Sequence, residues 1–155
     1  MKRVFVSYSI EDRNLHLITL LLEYLRKNHY SVSVSNQWID SDIKIANSDI
    51  FIGIVTNKSN SVDYVVKEWQ VAREKKIPDV LIVEEGVNID ESSGINFIRF
   101  NRANPQVAIN QLFERNKHET VQKKKKNNDD VADVLLGVAV VAGIAALISL
   151  LSKNN

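Results

Sequence analysis

Short apolar runs alternate along the chain with longer segments in which apolar residues recur every three or four positions. The runs indicate strands and the longer periodicity indicates helices. The pattern predicts strands over residues 2–8, 30–35, 49–56, 79–84 and 96–100. It predicts helices over residues 9–28, 40–47, 62–76 and 105–116, the first opened by a capping-type segment at 9–12. Strands that alternate with helices predict right-handed βαβ units, and hence a flavodoxin-like α/β fold with a five-stranded, mainly parallel sheet.

The helix predicted over residues 62–76 carries an acid that its own pattern does not explain. Val62, Val65, Trp69 and Ala72 form an apolar stripe, and Glu68 lies beside it. No residue three or four positions from Glu68 is cationic, so a helix ion pair does not account for it. A carboxylate at the edge of a buried face, after a parallel-type strand, is typical of an α/β active site. The alternative is an ordinary boundary glutamate with a structural role.

The predicted topology brings Glu68 to the edge of the sheet where ligands bind. Open parallel sheets bind ligands at the carboxyl ends of their strands, where the strand order reverses. With the order 2-1-3-4-5, that point lies beside residues 7–9 and 56–59. The first strand is not followed by a glycine-rich phosphate loop, and no Gly-x-Ser-x-Gly elbow occurs. These observations argue against nucleotide-loop and serine-hydrolase functions.

Composition narrows the classes of function further. At 155 residues the chain has room for one domain and a tail, and a formal net charge of +1 gives no general attraction to nucleic acid. The sequence has no cysteine, and its three histidines show no metal-ligand spacing. We therefore expect no disulfide, no metal site and no nucleic-acid partner.

The C-terminal part of the sequence differs from the rest. Residues 134–151 form an uncharged apolar run, preceded by four consecutive lysines at 123–126. Its length suits a membrane span, and the lysines predict that the N-terminal side is cytoplasmic. We expect a domain over residues 1–117, a polar lysine-rich linker over 118–130 and a transmembrane helix over 131–152. The alternatives are a buried core helix and a helix that assembles with copies of itself.

Four stretches resemble the TIR (Toll/interleukin-1 receptor) domain family, in the order and spacing of that family. Arg3-Val-Phe-Val-Ser-Tyr-Ser9, followed by Glu11 and Asp12, resembles its opening box. The segment 43–56 is similar to its third-strand entry, and residues 77–84 are similar to its fourth strand. Tyr64-Val-Val-Lys-Glu68 resembles its Trp-x-x-x-Glu helix motif. The resemblance covers roughly residues 2–115.

The resemblance implies a bacterial-type enzyme that cleaves NAD at the nicotinamide N-glycosidic bond, by hydrolysis or cyclisation. NAD is then the substrate and no cofactor is needed. The nicotinamide ring is already cationic in NAD, so a carboxylate that stabilises the developing ribosyl cation suffices. That carboxylate is the catalytic Glu68. Residues implied to contact the substrate are Ser7, Tyr8 and Ser9 on the ribose and phosphate side, Tyr64, and Trp38, which either covers a ring of NAD or packs in the core.

The resemblance also implies a cellular setting for the protein, and an alternative to the enzymatic function is considered beside it. The setting is a membrane-anchored antiviral or signalling effector that forms homo-oligomers through its TIR and transmembrane parts. The segment Ser35-Asn-Gln-Trp-Ile-Asp40 is shorter than the corresponding loop of the family, and Tyr64 replaces the commoner tryptophan. The short segment favours the alternative, a non-enzymatic membrane-tethered adaptor acting through TIR–TIR contacts, whereas Glu68 favours the enzyme. A nucleoside deoxyribosyltransferase-like enzyme is a third hypothesis.

Overall fold

A five-stranded sheet forms the centre of the domain in the computed structural model, which describes residues 1–13, 15–35, 40–90, 92 and 94–114. The strands are β1 (Arg3–Ser7), β2 (Ser31–Val34), β3 (Ile50–Val55), β4 (Asp79–Glu84) and β5 (Phe97–Phe100). The helices are α1 (His16–Lys27), α2 (Ser41–Ala46), α3 (Ser59–Glu74) and α4 (106–114), with a 3-10 helix at Ile10–Asp12. The strand order is β2-β1-β3-β4-β5, and every neighbouring pair is parallel. The predicted α/β sheet with flanking helices, and its strand order, are confirmed.

Apolar side chains cover both faces of this sheet. Successive residues of a strand point to opposite faces, so Val4 and Val6 of β1 join one core while Phe5 joins the other. The first core contains the apolar side chains of α1 and α4. The second contains those of α2 and α3. The sheet is therefore buried on both faces, as parallel sheets require.

The apolar stripe predicted for the third helix is present in α3. Val65, Trp69 and Ala72 are fully buried, and Val62 packs against the same core. The helix begins at Ser59, three residues before the predicted start. It ends through a left-handed residue, Lys76 (φ 56°), and a hydrogen bond of 2.9 Å from Ile77 N to Ala72 O. This is the Schellman type of helix end, and it orients the chain toward β4.

The continuous helix predicted over residues 9–28 is wrong. Ser9 instead caps a short 3-10 helix at Ile10–Asp12, and α1 begins only at His16, after Leu15 in extended conformation. The physical reason is Asp12, whose side chain turns inward and accepts hydrogen bonds from Thr56 Oγ1. This contact with the residue after β3 holds Asp12 in the 3-10 turn, and the extended backbone at Leu15 separates that turn from α1.

Two of the predicted segments lie beyond the described residues. The linker over 118–130 and the transmembrane helix over 131–152 both fall in this part of the chain, as does the end of the domain at 115–117. Among the helices that are described, none combines the length and the apolar character needed to cross a bilayer.

Candidate functional site at the carboxyl ends of the strands

The carboxylate of Glu68 is buried at the carboxyl end of β1. Its residue is only 6% exposed, although glutamate is among the residue types least often buried. Ser7 Oγ donates a hydrogen bond of 2.5 Å to Glu68 Oε2, and Ser35 Oγ donates a second one of 2.5 Å to the same oxygen. The carboxylate therefore joins α3 to the ends of β1 and β2.

The register of the parallel strands explains why both serines reach one oxygen. Val6 of β1 lies opposite Val34 of β2, so the next residues, Ser7 and Ser35, lie side by side. Ser35 N also donates a hydrogen bond of 3.1 Å to Val6 O, which continues the strand pairing by one residue. By the alternation of side chains, Ser7 faces the α3 side of the sheet, together with Phe5.

The approach of α3 to the sheet depends on a glycine in β3. Gly53 lies opposite Ser7 in the register of β1 and β3. A Cβ atom at Gly53 would stand 2.8 Å from Val65 Cγ1 and 2.6 Å from Leu81 Cδ2. The absence of a side chain lets Val65 lie against the strand, and Glu68 follows Val65 by about one helical turn. Gly53 thus positions Glu68 beside Ser7.

The second oxygen of the carboxylate differs from the first. Among the described residues, Glu68 Oε1 is buried and accepts no hydrogen bond. A buried acceptor left without a donor costs roughly 1–3 kcal/mol. This oxygen is the unsatisfied group of the site, and a donor or a positive charge on a ligand would satisfy it.

A second polar cluster lies at the same edge of the sheet, on the α1 side of β3. Thr56 Oγ1 lies 3.0 and 2.9 Å from the two carboxylate oxygens of Asp12, whose side chain is fully buried. Lys58 Nζ lies 3.6 Å from Asp12 Oδ1 and donates a hydrogen bond of 2.5 Å to Glu11 O. These contacts join the 3-10 helix to the connection between β3 and α3.

Glu84, at the end of β4, extends the cluster. The guanidinium of Arg102 binds both oxygens of Glu84, and Asn57 N donates a hydrogen bond of 3.0 Å to Glu84 Oε2. Its hydrogen bond with Arg102 lowers the pKa of Glu84 below the ordinary value of 4.5, against the opposing effect of burial. The same contact raises the pKa of Arg102. With Asp12 and Lys58 included, the cluster contains two acidic and two basic side chains.

The predicted substrate-contacting residues are not all brought together around Glu68. Ser7 touches it directly. Tyr8 packs against the core on the α1 side, whereas Tyr64 packs against the core on the α3 side. Ser9 is buried, and its hydroxyl accepts a hydrogen bond of 3.3 Å from Glu11 N at the start of the 3-10 helix. Trp38 lies outside the described residues.

Sequence reasoning missed the contact between Ser35 and Glu68. The strand order 2-1-3-4-5 places the ends of the second and first strands side by side, so a register argument would have aligned Ser35 with Ser7. The roles of Thr56, Glu84 and Arg102 were also missed, and their only signal was the position of the first two at the ends of strands. Within the described part of the chain, no group of three or more acidic, histidine or cysteine residues could hold a metal ion.

This arrangement can perform chemistry that needs one fixed negative charge. With Oε2 held by two serines, Oε1 can accept a hydrogen bond from a ligand hydroxyl or lie beside a developing cation.

The sequence matches none of the protein-family models and none of the curated proteins with which it was compared.

Proposed function

We propose that this protein is a TIR-like enzyme that cleaves the nicotinamide N-glycosidic bond of NAD. The observation that supports this proposal is the state of Glu68. Its carboxylate is buried beside the carboxyl end of β1, one of the two strands that flank the switch point of the sheet. One oxygen is held by Ser7 and Ser35, and the other has no partner among the described residues. The switch point of such a sheet is where ligands of α/β proteins bind.

The chemistry of the bond suits a site of this kind. The ring nitrogen of nicotinamide is positively charged in NAD, so the electron pair of the breaking bond neutralises it and nicotinamide leaves without protonation. The ribose carbon becomes positively charged, and a nearby carboxylate stabilises that charge. Water then adds to the carbon and loses a proton in hydrolysis, or a nucleophile within the substrate adds in cyclisation. Glu68 Oε1 is the oxygen that faces the ribose in this proposal.

The proposal extends to the parts of the chain around the site. Tyr64, on the same face of the sheet as Glu68, contacts the substrate in this proposal, and Trp38 covers an aromatic ring. Tyr8 and Ser9 would meet the substrate only where it extends past the end of β1 to the α1 side. Residues 131–152 anchor the protein in the cell membrane with the domain in the cytoplasm, and copies associate through their TIR and transmembrane parts. A membrane-bound enzyme that depletes or cyclises NAD suits an antiviral or signalling effector, a step that rests on family analogy.

The direct test replaces Glu68 with glutamine and measures the turnover of NAD by the full chain in membranes or detergent. The amide oxygen of Glu68→Gln can still accept both serine hydroxyls, so the fold should persist, but the negative charge is lost. Loss of such an electrostatic partner reduces the rate by a factor on the order of 100 to 1,000. Release of nicotinamide and consumption of NAD are measured by chromatography, and unfolding is followed in parallel.

The matched control is Glu74→Gln, the same substitution at an exposed position at the end of α3. It should turn over NAD at the wild-type rate. A wild-type protein that releases no nicotinamide would refute the enzyme, and the non-enzymatic adaptor would then lead. Equal rates for wild type and Glu68→Gln would show that Glu68 is only a structural tie between α3 and the sheet.

A further inference from the structure

The two oxygens of the Glu68 carboxylate have different surroundings. Both serine hydroxyls donate to Oε2, each at 2.5 Å, and none of the described residues donates to Oε1. A carboxylate rotates about its last bond unless its oxygens are held. Two donors that arrive from adjacent strands hold Oε2 in place, and so determine where Oε1 lies.

We propose that Ser35 is a positioning residue, which acts with Ser7 to direct Glu68 Oε1 toward the ligand. This inference rests on the proposed function, which it deepens by dividing the roles of the two oxygens. Ser7 comes from the interior strand β1, whereas Ser35 follows the edge strand β2. Ser35 is half-buried and Ser7 is fully buried. The orientation of the catalytic carboxylate thus depends on how the edge strand pairs with β1.

The different surroundings of the two carboxylate oxygens also restrict the chemistry of the ligand. An ionised carboxylate only accepts hydrogen bonds, and Oε2 is already occupied by two donors. The group that meets Oε1 is therefore a hydrogen-bond donor, such as a hydroxyl, or a positively charged centre, and an anionic phosphate is disfavoured at this position. The ribose that carries nicotinamide offers both, as hydroxyls in the ground state and as a cationic carbon in the transition state.

The test compares Ser35→Ala, Ser35→Thr and Ser33→Ala in the full chain. Ser35→Ala removes one of the two donors to Oε2, so kcat should fall about tenfold to a hundredfold, because misplacing a catalytic group by about 1 Å can cost a hundredfold in rate. Ser35→Thr keeps a hydroxyl at this position and should recover most of the rate. Ser33→Ala makes the same substitution two residues earlier in β2 and should leave kcat unchanged.

The outcomes separate this inference from the proposed function. If wild type turns over NAD and Ser35→Ala does so at the same kcat, the positioning role is refuted and the NAD-cleaving function stands. If wild type releases no nicotinamide, calorimetric binding of ADP-ribose decides the inference. Weaker binding in Ser35→Ala, restored in Ser35→Thr, would then support an Oε1 directed by Ser35. No binding of ADP-ribose by wild type, or equal binding in all variants, would overturn it.

Discussion

Gly53 is the position at which a single methyl group tests the geometry of the site. Alanine there would bring its Cβ to 2.6 Å from Leu81 Cδ2, 2.8 Å from Val65 Cγ1 and 3.1 Å from Phe51 Cε1. Carbon atoms in contact normally stand about 3.5–4.0 Å apart. All three neighbours are buried in the core on the α3 side of the sheet. The methyl group therefore requires movement of a neighbour, and Val65 belongs to the helix that carries Glu68.

Two opposing effects determine the stability of Gly53→Ala. Replacing glycine with alanine inside a strand reduces the freedom of the unfolded chain and favours folding by roughly 0.5–1 kcal/mol. Inserting a methyl group into a filled core costs about 1–3 kcal/mol. Leu81 is flexible, but Val65 is β-branched and confined to one preferred rotamer in a helix. The steric cost should prevail, with a net loss of about 1 kcal/mol in the free energy of unfolding.

Thermal unfolding of the full chain in detergent, followed by circular dichroism, measures this loss. A change of 1 kcal/mol should lower the melting temperature by about 3–5 °C, because the domain is intermediate in size between the small and the large domains for which this shift is known. Val65→Ala supplies the control, because it removes the Cγ1 atom that the new methyl group meets. Gly53→Ala should cost less in the Val65→Ala background than alone. Equal costs in both backgrounds, or a Gly53→Ala protein more stable than wild type, would refute the reasoning.

The remaining predictions concern pH and the tail. Because Arg102 lowers the pKa of Glu84, this pair stabilises the fold above pH 4.5 and its contribution disappears as pH falls through the lowered pKa. Arg102→Met should therefore have a lower free energy of unfolding than wild type near neutral pH, and this difference should decrease as the pH is lowered. Arg26→Met, at an exposed position, should show no pH-dependent difference from wild type. The full chain should sediment with membranes and resist carbonate extraction, while residues 1–117 should stay soluble and unfold cooperatively; full-length protein recovered as a soluble oligomer would contradict the membrane span.

The fold was largely predictable because local pattern and sheet packing agree. The strand predicted over residues 79–84 coincides with β4, and the ends of the other strands are within one residue of the predicted ends. β3 and β4 are short, mostly apolar runs, and β2 alternates serine with valine, so the local pattern defines where each of these strands begins and ends. The first helix was predicted wrongly because Ser9 and Asp12 have the composition of a helix start, yet Asp12 binds Thr56, which follows 44 residues later. No local pattern contains that contact.

The site was predictable only in part, for the same reason. Glu68 could be identified because it has no local partner and lies beside an apolar stripe, which are properties of its own helix. Ser35 was missed, because its role depends both on the register between β1 and β2 and on the closeness of α3 that Gly53 allows. A contact that involves three elements can be predicted only when the arrangement of the assembled sheet is known. The pairing of Glu84 with Arg102 is of the same kind.

The structure also bears on whether Glu68 serves only to tie α3 to the sheet. Burying a carboxylate costs free energy unless its hydrogen bonds are complete. Here two donors converge on one oxygen and no described residue serves the other, so the tie is incomplete. Apolar side chains in place of Glu68 and its two serine partners would join α3 to the sheet without that cost, and an exchange of this kind can leave stability unchanged or improved. An arrangement that sacrifices stability at the carboxyl ends of parallel strands is typical of a functional site. A ligand hydroxyl on Oε1 would complete the set of hydrogen bonds that the protein leaves open, and this complementarity favours a binding role for Glu68 over a structural one.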